Sequence, residues 1–344
     1  LARVLDALKN PGADYLIDGF ESCQYLFFPL RTVHGEAGIL LVVLQGRTAS
    51  FNEISLMQEL ALALGRLPPD AWRPHTGSFD RFLERVLDGQ PVSADEMKSG
   101  LDAFGWRSDH SYFLFCIRMQ KENGSSRRLR ELGLSLESRM CNTRFCIKER
   151  AVYLVVNRSL GHMISLEECI RKAAPLLEDA PAWAGSSNSL DSFDRLPQAC
   201  IQAEWAILLG RLFLPGQRFW SYPSVVIFHM LHRCDRGVNL NMLIHPAVQK
   251  LFRYDEEYHT QYAETLRAYL SAALKMKEAA ETLHIHKNTL TYRLEKISGI
   301  VDLHMKEPES VFQYQLSFRI MDYLGHQRQL QELVKQAPFL AEEK

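Results

Sequence analysis

Near the C-terminal end two short sets of apolar residues recur at helical spacing: Met276, Ala280 and Leu283, then Leu290, Leu294 and Ile297. His284-Ile285-His286 breaks the pattern between them. The break is too short for the second helix to fold back antiparallel on the first. The spacing predicts a helix-turn-helix, with Ile285 as an apolar plug in the bend and the small Ala279-Ala280 pair allowing close approach. The outer face of the second helix then carries Lys287, Asn288, Thr291, Tyr292, Glu295 and Lys296, with Arg293 at the edge of the core stripe. Such donors and small side chains suit phosphates and base edges.

The rest of the chain alternates between sheet-like and helical patterns. Leu1 to Leu8 reads as a short helix stopped by Asn10-Pro11-Gly12. Two strands follow, Gln24 to Leu30 and Ile39 to Leu44, joined through His34 to Gly38, then an amphipathic helix from Asn52 to Leu64. Leu67 to Pro74 is a stiff Pro-rich linker. Phe79, Phe82, Leu83, Val86 and Leu87 mark a helix closed by Gly89, and Ser93-Ala94-Asp95-Glu96 is a capping box for the next, through Phe104.

From about 107 to 223 the pattern predicts a strand (Tyr112 to Met119), a helix (Arg127 to Met140) and a hairpin (Thr143 to Lys148, Ala151 to Asn157). A helix capped at Ser165 running to about Glu178, a strand from Pro181 to Ser186 and a long helix from Leu190 to Leu209 with Trp205 and Leu208 in its core complete the segment. Beyond Pro223 the chain reads as helical: Val225 to His232, Pro246 to Phe252, Tyr262 to Leu274, the bihelical pair, and Val311 to Leu324 behind it.

The run Ile285 to Leu294, IHKNTLTYRL, together with Thr265 to Leu270, TLRAYL, resembles the C-terminal helix-turn-helix of the PucR/CdaR-type bacterial transcription regulators. The unit is also similar to that of the factor for inversion stimulation, which implies major-groove binding by the second helix. Asp302 stands where the family usually has Gly, and Thr291 where it often has Arg. The resemblance extends to a degenerate GGDEF-like domain over 107–223. Cyclases of that fold place glycines and acids at the hairpin turn to approach a nucleotide and hold a metal, whereas Lys148-Glu149-Arg150 stands here, so catalysis is not expected.

The fold class expected is α+β multidomain: a partial GAF-like sensor (1–66), a linker and helical bridge (67–106), the degenerate GGDEF-like α/β domain (107–223), a helical connector (224–262), the all-α helix-turn-helix domain (263–330) and a tail (331–344). The missing initiator Met points to a piece of a longer chain, cut inside its first domain.

Composition adjusts this picture little. At 344 residues the chain is too long for one ordinary core, and a formal net charge of -1 argues against a non-specific nucleic-acid coat. Glu264 to Lys306 is mildly basic, with seven Lys or Arg against five acids, so one copy expects only moderate phosphate attraction. Seven cysteines without a C-x-x-C indicate neither a disulfide framework nor a zinc ribbon and fit a reducing cytoplasm. No membrane span or signal peptide is evident.

The resemblance and the pattern together make His286, Lys287, Asn288, Thr289, Thr291, Tyr292, Arg293 and Lys296 the candidate DNA-contacting residues. His286 reads equally as a helix cap or a phosphate contact, and Arg293 as an ion pair or a phosphate contact. His229, His232 and Cys234 have metal-like spacing, but buried histidines on a helix face explain them better. Glu167-Glu168 is a helix start and Asp255-Glu256-Glu257 a solvated turn, so neither is an acid/base pair. Catalytic residues, metal and cofactor are not expected.

The expected partners are double-stranded DNA, a small-molecule effector of unknown identity and further copies of the chain, as a homodimer or higher oligomer. The alternatives are a GGDEF-type nucleotide-binding signalling domain or enzyme without DNA binding, and a scaffold whose bihelical unit docks a partner helix.

Overall fold

The computed structural model describes residues 16–20, 23–31, 37–45, 47–65, 76–119, 126–140, 142–160, 165–179 and 182–337. The expected helix at Leu1 to Leu8, most of the first inter-strand connection and the Pro-rich linker lie outside them. The chain forms two compact units, one ending at Phe79 and one starting at Asp80.

The first unit holds a three-stranded antiparallel sheet in the order β1 (Leu16–Phe20), β2 (Cys23–Arg31), β3 (Ala37–Gln45), followed by α1 (Phe51–Gly65). Leu26 and Phe28 from β2 meet Ile54 and Ala61 from α1 in its core. The helix starts one residue earlier than its apolar stripe predicted, because Ser50 and Glu53 form a reciprocal capping box: Glu53 accepts the Ser50 amide at 2.8 Å and Ser50 Oγ that of Glu53 at 3.4 Å.

In the second unit, α2 (Thr76–Leu87, its first four residues before the boundary) and α3 (Ala94–Asp102) precede β4 (Tyr112–Met119), α4 (Ser126–Arg139), β5 (Thr143–Lys148), β6 (Ala151–Asn157), α5 (Leu166–Asp179) and β7 (Ala182–Ser186). Then come α6 (Leu196–Phe213) and β8 (Phe219–Ser221). The sheet order is β5-β6-β4-β7-β8, antiparallel except for the β7–β8 pair. Phe113, Phe115, Phe145, Val152 and Leu154 pack with Leu129 and Leu136 of α4 and Cys169 and Ala173 of α5. On the opposite face α6 lies so close to β7 that a Cβ on Gly185 would stand 2.2 Å from the Ala203 carbonyl oxygen, which excludes any side chain there.

The expected bounds of the long helix are corrected here. The long helix begins at Leu196 rather than Leu190, because Ser192 caps a 3-10 turn at Phe193–Arg195, Pro197 sits in the first helical turn, and Leu190 bridges to Tyr112 instead. It also runs on to Phe213. Strand β8 was not anticipated, since three residues carry no readable period.

The C-terminal part is helical: α7 (Tyr222–Cys234), α8 (Pro246–Tyr258), α9 (Tyr262–Ser271), α10 (Met276–Thr282), α11 (Lys287–Ile300) and α12 (Pro308–Lys335). One apolar core runs through it from Trp205 and Leu209 of α6, by Phe228, Val248, Leu251, Leu266 and Ile297, to Tyr314, Tyr323 and Leu330 of α12. The acidic Asp255-Glu256-Glu257 is not a turn but the last part of α8, and Asp255 has a structural task. Its carboxylate accepts the amides of Tyr262 at 2.9 Å and Ala263 at 2.7 Å, capping α9. His229 is buried, stacked on Trp205 at 4.4 Å between ring centroids and within 2.8 Å of the Tyr222 hydroxyl. Among the described residues no group of three or more His, Cys, Asp or Glu is arranged to hold a metal, and no helix is long and apolar enough to cross a membrane.

Candidate nucleic-acid interface

Helices α9, α10 and α11 form a small trihelical unit whose own core is Ala279, Ala280 and Leu290, flanked by Tyr269, Ala272, Met276, Leu283, Ile285 and Leu294. The two buried alanines let α10 and α11 meet closely, and Ile285 fills the bend, as the apolar spacing requires. The bend is a Schellman stop: the Ile285 amide reaches the Ala280 carbonyl at 3.0 Å and the His284 amide that of Glu281 at 3.1 Å. His284 takes the left-handed conformation at φ 53° that a glycine usually fills. The same device ends α9, where Leu274 bonds back to Tyr269 and Ala273 to Leu270, with both residues at positive φ.

Helix α11 starts on a side-chain cap. His286 Nδ1 accepts the Asn288 amide at 3.2 Å, so of its two readings the capping one is realised in the free protein. Leu290 and Ile297 are fully buried and seat the helix, while Lys287, Asn288, Thr289, Thr291, Tyr292, Glu295 and Lys296 lie on its exposed side. Thr291 Oγ1 bonds back to the Lys287 carbonyl at 3.1 Å, and the Lys296 ammonium lies 5.4 Å from the Tyr292 ring centroid.

The cations of the unit divide into two groups. Lys275 pairs with Glu278 at 2.9 Å and Lys277 with Glu281 at 4.0 Å, both within α10 or its first turn. Among the described residues neither Lys287 nor Lys296 pairs with an acid. Arg293 is turned away from the exposed face: it is half-buried, and its Nη1 donates to Thr265 Oγ1 of α9 at 3.2 Å. Among the described residues Arg293 pairs with no acid, so this hydrogen bond stands where an ion pair was one expectation. Thr265 is fully buried and itself donates to the Gln261 carbonyl at 2.8 Å. A polar residue inside the apolar stripe of α9 was the one sequence signal that could have located this partner.

A polar, exposed helix seated across a sharp bend on the buried Ala279-Ala280 face of the helix before it defines a helix-turn-helix, the class of module that reads double-stranded DNA. Residues 262–320 match the PucR C-terminal helix-turn-helix domain, so the chain carries a module of that family.

Three curated relatives, all from Bacillus subtilis (strain 168), are similar to it. The chain is 23% identical to the purine catabolism regulatory protein over 317 residues, which cover 87% of this chain and 57% of that protein. It is 32% identical to the DNA-binding transcriptional activator AdeR over 70% of this chain and 58% of the relative. With the proline-responsive transcriptional activator PutR, identity is 37% over 41% and 34% of the two chains. The chain thus spans little more than half the length of the first two. A solved regulator of polyketide synthase expression from Bifidobacterium adolescentis aligns at 15% identity and a TM-score of 0.36, covering 73% of this chain and 94% of that one. At that score the likeness is too loose to fix a fold.

Proposed function

We propose that the protein is a sequence-specific transcription regulator that lays α11 in the DNA major groove as a homodimer or higher homo-oligomer. The observation that carries this reading is the exposed face of α11: Lys287, Asn288, Thr289, Thr291, Tyr292 and Lys296 are exposed on a foundation fixed by buried Leu290 and Ile297. Asn and Lys at the first turn of such a helix are placed to bond base edges, and Lys296 to meet a phosphate. His286 at the N-cap adds a side chain beside the phosphates that flank the groove. One module of this size buries too little for tight specific binding, so two copies on paired half-sites are required.

In the same reading the first unit is a partial GAF-like sensor for a metabolite and the five-stranded domain a degenerate GGDEF-like one without catalysis. The support for the latter is the strand order with helices on both faces, and a hairpin turn built of Glu149 and Arg150, both at positive φ, where a nucleotide enzyme would need glycine. The similarity to regulators named for purine catabolism and for a proline response supports a small-molecule effector.

Selection of bound duplexes from a random DNA pool tests the proposal. A recovered palindrome or direct repeat is the expected result, and on it Lys287→Ala or Asn288→Ala should each cost about 1–3 kcal/mol, with Lys296→Ala mainly reducing the salt dependence. Recovery of no enriched sequence, together with wild-type binding by all three variants, would refute it.

A further inference from the structure

We infer that Arg293 acts as the positioning residue of α11, fixing the rotation at which the exposed face meets the groove, and that Thr265 is its anchor. The inference rests on the DNA-reading function proposed above. It starts from a difference in kind between contacts. Leu290, Leu294 and Ile297 hold α11 by apolar packing, which attracts without direction and tolerates small rotations and slides. The Arg293 to Thr265 bond at 3.2 Å is directional and joins the middle of α11 to α9.

Helix α9 is a fixed reference for that bond, because it is tied to the rest of the unit from two sides. Asp255 of α8 caps its N-terminus, while from α12 Asp322 pairs with Arg267 at 2.7 Å and Gln315 donates to the Leu270 carbonyl at 3.3 Å. The chain of bonds therefore runs from the helical body, through α9 and Thr265, to Arg293 and the reading face. Thr265 is fully buried, so its hydroxyl cannot touch DNA and acts on binding only through the groups it bonds, Arg293 of α11 and the Gln261 carbonyl.

The test measures affinity of the full chain for a duplex selected by the wild-type protein, across a salt titration, with unfolding curves for every variant. Thr265→Val and Arg293→Met should each weaken binding about five- to tenfold, the fold-change matching one net hydrogen bond, with the salt slope unchanged. The double variant should bind no more weakly than either single one, and Thr265→Ser, which keeps the hydroxyl, should bind as the wild type does. Lys287→Ala is the reference for a residue that meets the DNA itself. If Thr265→Val does not fold, Arg293→Met and Thr265→Ser decide between them.

A fall of about 0.9 in the salt slope for Arg293→Met, with Thr265→Val binding normally, would make Arg293 a phosphate contact and overturn the inference. So would additive losses in the double variant. Loss of the parent reading looks different: Lys287→Ala and Asn288→Ala would then leave binding untouched, whatever Arg293 does.

Discussion

The Asp255 carboxylate accepts the Ala263 amide at 2.7 Å, so the last part of α8 caps the first turn of α9. The same carboxylate also takes the Tyr262 amide and the Thr260 hydroxyl, leaving two otherwise orphaned helix N–H groups satisfied. Asp255→Ala removes all three bonds and should cost about 2 kcal/mol, read as a lower urea midpoint. A midpoint within error of wild type would show that water replaces the cap without loss.

Under the central sheet, Glu204 of α6 is buried and pairs with Arg118 of β4, while Tyr153 donates to it at 2.5 Å and Cys116 at 3.1 Å. Glu204→Ala removes the carboxylate partner of Arg118, which keeps its bond to the Glu149 carbonyl, and is expected to destabilise by about 3 kcal/mol. Replacing both members, Arg118→Met with Glu204→Leu, should recover most of that loss. Equal damage from the single and double changes, in equilibrium unfolding, would argue against an ion-pair origin.

His229 predicts a pH dependence. Burial first, and the nearby Arg233 second, depress its pKa from 6.5 to about 4. The unfolded chain therefore binds the proton more tightly, so the stability present above pH 6.5 is lost as pH falls toward 4. His229→Phe should flatten the unfolding free energy across that window relative to wild type. An unchanged acid slope would mean that another group carries it.

His284 holds its left-handed φ of 53° without the freedom of glycine. His284→Gly should stabilise the trihelical unit by about 0.5–1 kcal/mol, visible as a higher thermal midpoint, and leave DNA affinity unchanged. A lower midpoint would mean that the imidazole contributes more than its backbone conformation costs.

The sequence made some of these relations readable and hid others for identifiable reasons. Tyr112 to Met119, Thr143 to Lys148 and Ala151 to Asn157 were bounded correctly because their apolar runs give way to charged or polar residues. Lys287 and the exposed face of α11 followed from the heptad-like spacing of Leu290, Leu294 and Ile297. The Ser50–Glu53 capping box is written in the sequence just ahead of the apolar stripe, which by itself marks a start at Asn52. Asp255 and Arg293 were not legible locally: their roles depend on residues 8 and 28 positions away, and a charged side chain reads as solvated until its partner is known. Helix α12 extends to Lys335, beyond the stripe that ended at Leu324, because Leu330 joins the same core.

The uninterrupted core from Trp205 to Leu330 has a practical consequence for anyone wishing to shorten the protein. A fragment started at residue 262 would strip Leu266, Tyr314 and Phe318 of the aliphatic and aromatic neighbours contributed by α6, α7 and α8. Such a truncation trades a folded domain for a sticky one, so the smallest soluble version should retain the whole second unit, from Asp80 onward.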